Sequence, residues 1–236
     1  MRNSTRLLNG LLLLILIAVS GCQHAPRPIA STQEQLAAPA DAPSPYEADI
    51  LAFETADRLQ PPPHGGIVFV GSSSFRLWPN LPHAFPGYEV VNRGFGGSTL
   101  PDVIRFAPRI VVPLAPETVV IYAGDNDIKG GRMPSQVLAD YRNLVRLLRR
   151  SLPHVRIVMV SIKPSPSRWA LVDRMREANA LLAQEVARDH RASFVDVFTP
   201  MLGADGLPRP ELYVADALHM TPAGYALWQQ RIAPAL

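Results

Sequence analysis

Short apolar runs alternate with amphipathic segments along most of the chain, and each apolar run ends at a glycine, asparagine, aspartate or proline. Short runs of β-branched and aliphatic residues bounded by turn formers are typical of buried strands, so we predict a strand at each run. The predicted strands are residues 66–72, 89–92, 118–123, 156–162 and 192–198.

Between the strands the apolar spacing changes to that of helices. Apolar side chains recur on one face between Pro134, which opens the pattern, and Pro153, which closes it. Strands that alternate with helices favour a parallel sheet covered on both faces, so the sequence predicts an α/β doubly wound domain. The other predicted helices cover residues 45–60 and 169–190, and a last one begins at Thr221 and Pro222.

The first residues have the pattern of an export signal. Arg2 and Arg6 precede an apolar run over residues 11–18 that is too short to span a bilayer comfortably. Val19-Ser20-Gly21-Cys22 resembles the lipobox of bacterial lipoproteins, which implies cleavage before Cys22 and lipidation of its thiol. The alternative is an ordinary signal peptide with an incidental cysteine. Gln23 resembles the residue found in lipoproteins sent to the outer membrane, so we expect an envelope protein that faces the periplasm.

The composition predicts a single domain after this export signal. The chain has 236 residues, of which 47% are apolar and 18% charged, enough for one well-packed core plus appendages. We therefore predict a signal peptide over residues 1–21, a lipidated cysteine with a proline-rich tether over residues 22–44, and a domain over residues 45–236.

Charge gives no reason to expect a nucleic-acid partner. The net charge is +3, and without Arg2 and Arg6 the remaining 21 basic groups face 20 acidic ones. A nearly neutral protein lacks the positive field that nucleic acids require. Arginines 146, 149, 150 and 156 lie around the end of a predicted helix, where we interpret them as a solvated face.

Polar clusters are predicted at the carboxyl edge of the sheet, where α/β enzymes carry their chemistry. The most specific of them holds Asp216 and His219. A carboxylate three residues before a histidine can bond imidazole Nδ1 and leave Nε2 free to take a serine proton. The other clusters are Gly71-Ser72-Ser73-Ser74, Asn92 to Gly97, and Gly124-Asp125-Asn126-Asp127.

Each cluster also has a structural interpretation. The serines could satisfy their own turn, and Gly-Phe-Gly-Gly is a common flexible sequence. Asp125 and Asp127 could form an Asx-rich turn or a cation site, and His219 could be a buried structural histidine or join them in a metal-dependent hydrolase.

Taken together and in order, the four clusters resemble the conserved blocks of the SGNH hydrolases, the GDSL-type esterase superfamily, over about residues 66–230. The resemblance implies a three-layer α/β/α sandwich with a five-stranded parallel sheet, as in flavodoxin-like folds. It implies a Ser-His-Asp triad and an oxyanion hole. The implied triad is Ser73, His219 and Asp216, and the implied oxyanion donors are the amides of Ser73 and Gly97 with the Asn126 side chain. Ser72 stands where the family usually has aspartate, and only the block spacing selects Ser73 among the three serines.

The expected activity is therefore serine-dependent hydrolysis of a carboxylic ester, without cofactor or metal. A short acyl group on a sugar or glycan is slightly favoured, because the sequence has no long apolar lid segment. The alternatives are a lysophospholipase or thioesterase acting on lipid, and a non-catalytic glycan-binding envelope lipoprotein. Arg168 and Trp169 are predicted either to rim the site or to start a helix, whereas Arg76 and Trp78 are interpreted as scaffold.

Overall fold

Five parallel strands in the order β2-β1-β3-β4-β5 form the centre of the domain, in a computed structural model that describes residues 44–236. The predicted signal peptide, Cys22 and all but the end of the tether lie outside the described residues. Every position of β1 is buried, as its apolar sequence requires in a sheet covered on both faces. The strands are β1 Ile67–Gly71, β2 Val90–Gly94, β3 Thr118–Tyr122, β4 Arg156–Val160 and β5 Ala192–Val195.

Helices cover both faces of this sheet. Alternate side chains of β1 point to opposite sides: Val68 and Val70 join a core with α1, α3, α5 and α6, and Ile67 and Phe69 join a second core under α7. The predicted three-layer α/β/α fold is thus confirmed. The helices are α1 Glu47–Leu59, α2 Ser73–Arg76, α3 Leu100–Ile110, α4 Asp125–Lys129, α5 Pro134–Ser151, α6 Val172–Val186 and α7 Pro222–Ile232.

The sequence patterns miss one substantial helix, α3. Pro101 lies in its first turn and Pro108 near its end, and two prolines in a short segment hide a helical pattern. The helix nevertheless starts from a capping box in which Thr99 and Asp102 satisfy each other's backbone N–H groups. The predicted helix over 169–190 is shorter than expected, since a 3₁₀ segment, Pro166–Leu171, precedes α6.

The arginine cluster at the end of α5 lies near the amino ends of β4 and β5, away from the carboxyl edge of the sheet. Arg149 forms an ion pair with Asp189, and Arg150 is exposed. Within residues 44–236 none of the helices has the length and apolar character needed to cross a bilayer.

Gly71 brings two of the polar clusters to the same edge of the sheet. It has φ of +144°, and a Cβ there would lie 1.9 Å from the carbonyl oxygen of Tyr122 on the adjacent strand β3. Only glycine allows the ends of β1 and β3 to lie this close. As a result α2, which begins at Ser73, and α4, which contains Asn126, start side by side.

Candidate active site

The structure brings Ser73, His219 and Asp216 together in one hydrogen-bonded chain. Ser73 Oγ lies 2.9 Å from His219 Nε2, although 146 residues separate them in sequence. On the other side of the ring, Nδ1 lies 2.5 Å from Asp216 Oδ2. This order of hydroxyl, imidazole and carboxylate is the one in which a histidine can take a proton from serine while a carboxylate stabilises the imidazolium.

Local structure fixes the carboxylate of Asp216 against the ring. Its Oδ1 accepts hydrogen bonds of 2.8 Å from the backbone N–H groups of both Leu218 and His219. Partial burial opposes ionisation of Asp216, but these bonds and the one from the imidazole outweigh it and lower its pKa to about 2. The carboxylate therefore stays ionised at every pH where the protein would work, and the aspartate can orient His219 and support its charged form.

The three neighbouring serines have different surroundings. Ser72 is buried and its hydroxyl has no hydrogen-bond partner among the described residues. Ser74 is also buried, and its Oγ lies 3.1 Å from Lys163 Nζ. Ser73 alone is placed against the imidazole, at the first position of α2.

Backbone amides at two positions are available to a developing oxyanion. Within the described residues, neither the N–H of Ser73 nor that of Gly97 donates to a backbone acceptor. Gly97 has φ of +84°, which a side chain would disfavour, and its carbonyl accepts a hydrogen bond of 3.1 Å from the Tyr46 hydroxyl. The turn is thus held from its carbonyl side while its amide stays unused, as an oxyanion donor must be.

The amide of Asn126 is held at both ends. Its Nδ2 donates to the carbonyl of Ser98 at 3.0 Å, and its Oδ1 accepts from Arg168 Nη2 at 2.9 Å. An NH₂ group has two hydrogens, so one remains for a ligand in the pocket. A cation at the amide oxygen also polarises the group and makes its N–H a stronger donor.

Behind Asn126 lies a buried charged network that the sequence did not reveal. Lys163, 1% exposed, donates to Ser74 Oγ and Tyr122 Oη at 3.1 Å each and to Asp125 Oδ2 at 3.2 Å. The same carboxylate oxygen lies 3.0 Å from Arg168 Nη1. Burial opposes ionisation of Asp125, yet Lys163 and Arg168 together hold its pKa below the usual value.

The sequence alone does not predict a buried Lys163, because a lysine after a strand is most often a surface group. The sequence offered one signal: its position directly after an apolar strand and before a proline-stiffened loop.

One prediction about an individual side chain needs correction. Arg76, interpreted as scaffold, is exposed and lines the same pocket as Ser73 and His219. Arg168 also lines this pocket, which agrees with one of its two predicted roles, but it is buried and bound to Asn126. Trp169 packs in the core that holds α6, where Arg176 lies over its ring, and Trp78 is buried as expected.

The carboxylates of the alternative metal site point to other partners. Asp125 binds Lys163, while Asp127 Oδ1 accepts from the backbone N–H of Leu100 at 3.0 Å. Burial raises the pKa of Asp127 to about 6. Across residues 44–236, no three histidine, cysteine, aspartate or glutamate side chains are grouped as metal ligands, so Asp125, Asp127 and His219 do not form one site.

The pocket at Ser73 is open and polar. It has a volume of about 460 Å³ and is lined by backbone at Gly96 and Gly97 and by the side chains of Arg76, Asn126 and His219. It is large enough for a small ester and is not enclosed by an apolar wall.

Comparison with known proteins identifies the family to which the chain belongs. Residues 66–227 match the GDSL-like Lipase/Acylhydrolase family, and the chain belongs to that family. It has the SGNH fold.

Individual relatives are distant. An isoamyl acetate-hydrolyzing esterase of Schizosaccharomyces pombe is 25% identical over 145 residues, which are 57% of this chain and 56% of that protein. The chain thus spans little more than half the length of this relative.

Solved structures of other proteins share the fold, and two of them illustrate the similarity. A GDSL-like lipase of Bacteroides thetaiotaomicron aligns with a TM-score of 0.67 at 23% identity, over 80% of this chain and 97% of the other. An acetyl-xylooligosaccharide esterase of Geobacillus stearothermophilus, named Axe2, aligns with a TM-score of 0.59 at 19% identity, over 73% and 94% of the two chains.

Proposed function

We propose that the protein is a serine esterase in which Ser73 is the nucleophile, His219 the general base and acid, and Asp216 the group that orients the ring. The hydrogen-bonded chain from Ser73 Oγ through His219 to Asp216 Oδ2 carries this proposal. Ser73 Oγ attacks the ester carbonyl while His219 Nε2 takes its proton. His219 then protonates the leaving alcohol, and a water activated by the same ring releases the acid.

The negative charge that forms on the carbonyl oxygen would be stabilised by the amides of Ser73 and Gly97 and by the remaining Nδ2 hydrogen of Asn126. The unused backbone amides and the fixed orientation of Asn126 support this role. Donors that are already in place need no reorganisation when charge develops, and each is typically worth roughly a hundredfold or more in rate.

We infer that the substrate is a short acyl ester of a sugar or glycan. The pocket is open and polar, and the part of the chain that the structure describes forms no apolar channel at Ser73 for a long acyl chain. The names of two relatives, one acting on isoamyl acetate and one on acetylated xylooligosaccharides, agree with a small acyl group.

A series of p-nitrophenyl esters from acetate to palmitate tests both parts of the proposal. We expect the highest kcat/KM with acetate, and we expect Ser73→Ala to lower kcat by on the order of 10⁴-fold or more. Ser74→Ala is the matched control for the assignment of the nucleophile. Activity that survives Ser73→Ala would contradict the mechanism, and a preference for palmitate would favour a lipid substrate.

We also propose that the enzyme is tethered to the envelope through Cys22, from the leader and lipobox pattern alone. A lipid on Cys22 would anchor the protein without a transmembrane helix. Incorporation of labelled palmitate into the full chain, and its loss in Cys22→Ser, is the expected result. Equal labelling of both would refute the anchor.

A further inference from the structure

Two cations beside the active-site serine have no acidic partner. Among the described residues, neither Arg76 nor Lys129 makes a side-chain hydrogen bond or an ion pair, although both line the pocket that contains Ser73 and His219. Every nearby carboxylate is already engaged. Asp125 accepts from Lys163, Asp127 from the backbone of Leu100, Asp102 from Thr99, and Asp216 from His219. No carboxylate from residues 44–236 lines the pocket.

Helix geometry points both cations at the reacting groups. Arg76 lies three residues after Ser73 on α2, and Lys129 lies three residues after Asn126 on α4. Side chains three apart lie on the same face of a helix. Strands β1 and β3 are neighbours, so the helices that follow them, α2 and α4, lie on two sides of the pocket. Helix α2 supplies the nucleophile and one cation, and α4 supplies the amide donor and the other cation.

The guanidinium of Arg76 is seated against the backbone rather than free in solvent. A Cβ built on Gly96 would lie 2.7 Å from its Nε and 2.8 Å from its Nη2, so the planar group packs on this glycine, next to Gly97. A larger residue at position 96 would displace it. The N–H groups of this guanidinium are thus held in place, and their forked arrangement can bind a carboxylate through two parallel hydrogen bonds.

We propose that Arg76 and Lys129 form a subsite for a carboxylate on the alcohol part of the substrate, so that the enzyme deacylates an acidic sugar such as an O-acetylated uronate. This inference rests on the proposed esterase function and narrows its substrate class. A carboxylate on the sugar would supply the partner that both cations lack. Their charge would also guide an anionic substrate into the open pocket.

The test compares two esters that differ in one group: a methyl O-acetyl glucuronide with its carboxylate free, and the matching neutral methyl O-acetyl glucoside. We expect kcat/KM for the uronate to exceed that for the neutral sugar by about tenfold or more, and Arg76→Gln or Lys129→Gln each to lower this ratio by about threefold to fivefold, the size of an exposed ion pair. Raising the salt from about 0.05 M to 0.5 M should reduce the preference.

Arg150→Gln, which removes an exposed arginine at the far end of α5, is the control and should leave the ratio unchanged. Equal kcat/KM for the two sugars, or an equal loss on both in the variants, would overturn the subsite. A third ester, acetylglycerol phosphate, separates the sources of negative charge: a preference for it over the uronate would overturn the acidic sugar. Hydrolysis of the neutral sugar without any preference leaves the esterase proposal intact, whereas no hydrolysis of any acetyl ester would overturn both.

Discussion

Replacing Arg168 tests how the oxyanion donor is prepared. The guanidinium of Arg168 donates to Asn126 Oδ1 at 2.9 Å and lies beside Asp125, so Arg168→Met would free one end of the amide and remove its polarising charge. A hydrogen bond to a charged group is worth about 1.5–3 kcal/mol. Only the part that is transmitted to the transition state appears in kcat, so we expect kcat to fall by about 10-fold to 100-fold, with KM little changed.

A double-mutant cycle distinguishes this role from a general loss of structure. If Arg168 acts through Asn126, then Arg168→Met in an Asn126→Ala background should lower kcat by less than about threefold, since the donor is already gone. Arg168→Lys keeps the charge without the forked donor and should recover part of the activity. Rates are measured with p-nitrophenyl acetate at a temperature where circular dichroism shows every variant folded. Losses that multiply independently would refute the reasoning.

Three further changes test the network and the triad. Lys163→Met leaves the buried Asp125 with one cation fewer, and we expect a loss of about 3–5 kcal/mol of unfolding free energy by urea denaturation; an unchanged midpoint would contradict the buried ion pair. Asp127→Asn removes a buried carboxyl whose folded pKa, about 6, lies above the ordinary value of 3.8 for an aspartate. The stabilisation linked to that raised pKa is present below about pH 4 and is lost as the pH rises through 6, so the variant should exceed the wild type at pH 8 by up to about 3 kcal/mol and lose this advantage toward pH 4. A pH-independent difference would argue against the raised pKa. Asp216→Asn should lower kcat by on the order of 10³-fold to 10⁴-fold, because the ring loses its ionic partner, with only a small loss of stability, because Asp216 is half exposed; activity within a few-fold of the wild type would exclude the orienting role.

The periodicity of the sequence predicted the sheet and the longest helix because both are strongly patterned. Strands β1 and β3 are fully buried and almost wholly apolar, and α5 places its apolar residues on a single face. Helix α3 also carries a local signal, because Thr99 and Asp102 form a capping box and its buried side chains, Leu100, Val103, Phe106, Ala107 and Ile110, recur at helical spacing. Pro101 and Pro108 interrupt that pattern and obscure the helix.

The site was predictable where its groups are defined by local spacing. Asp216 and His219 are three residues apart, and the structure shows that this spacing lets one carboxylate bind both the ring and the backbone amides. The surroundings of Ser73 and Ser74 depend on contacts with residues more than 80 positions away, His219 for Ser73 and Lys163 for Ser74. Arg168 and Asn126 are 42 positions apart, so no local pattern could indicate their link.

The hydroxyl of Tyr46 joins the first residues of the domain to the Gly97 turn. Its ring also packs edge-on against Phe95, 5.2 Å away, on the segment that leads into that turn. Shortening the protein for biochemical work therefore carries a specific hazard: a version starting at residue 47 would keep α1 and the whole sheet yet release the loop whose backbone N–H is the proposed oxyanion donor. We expect such a truncation to turn over substrate slowly although the sheet and its helices are intact.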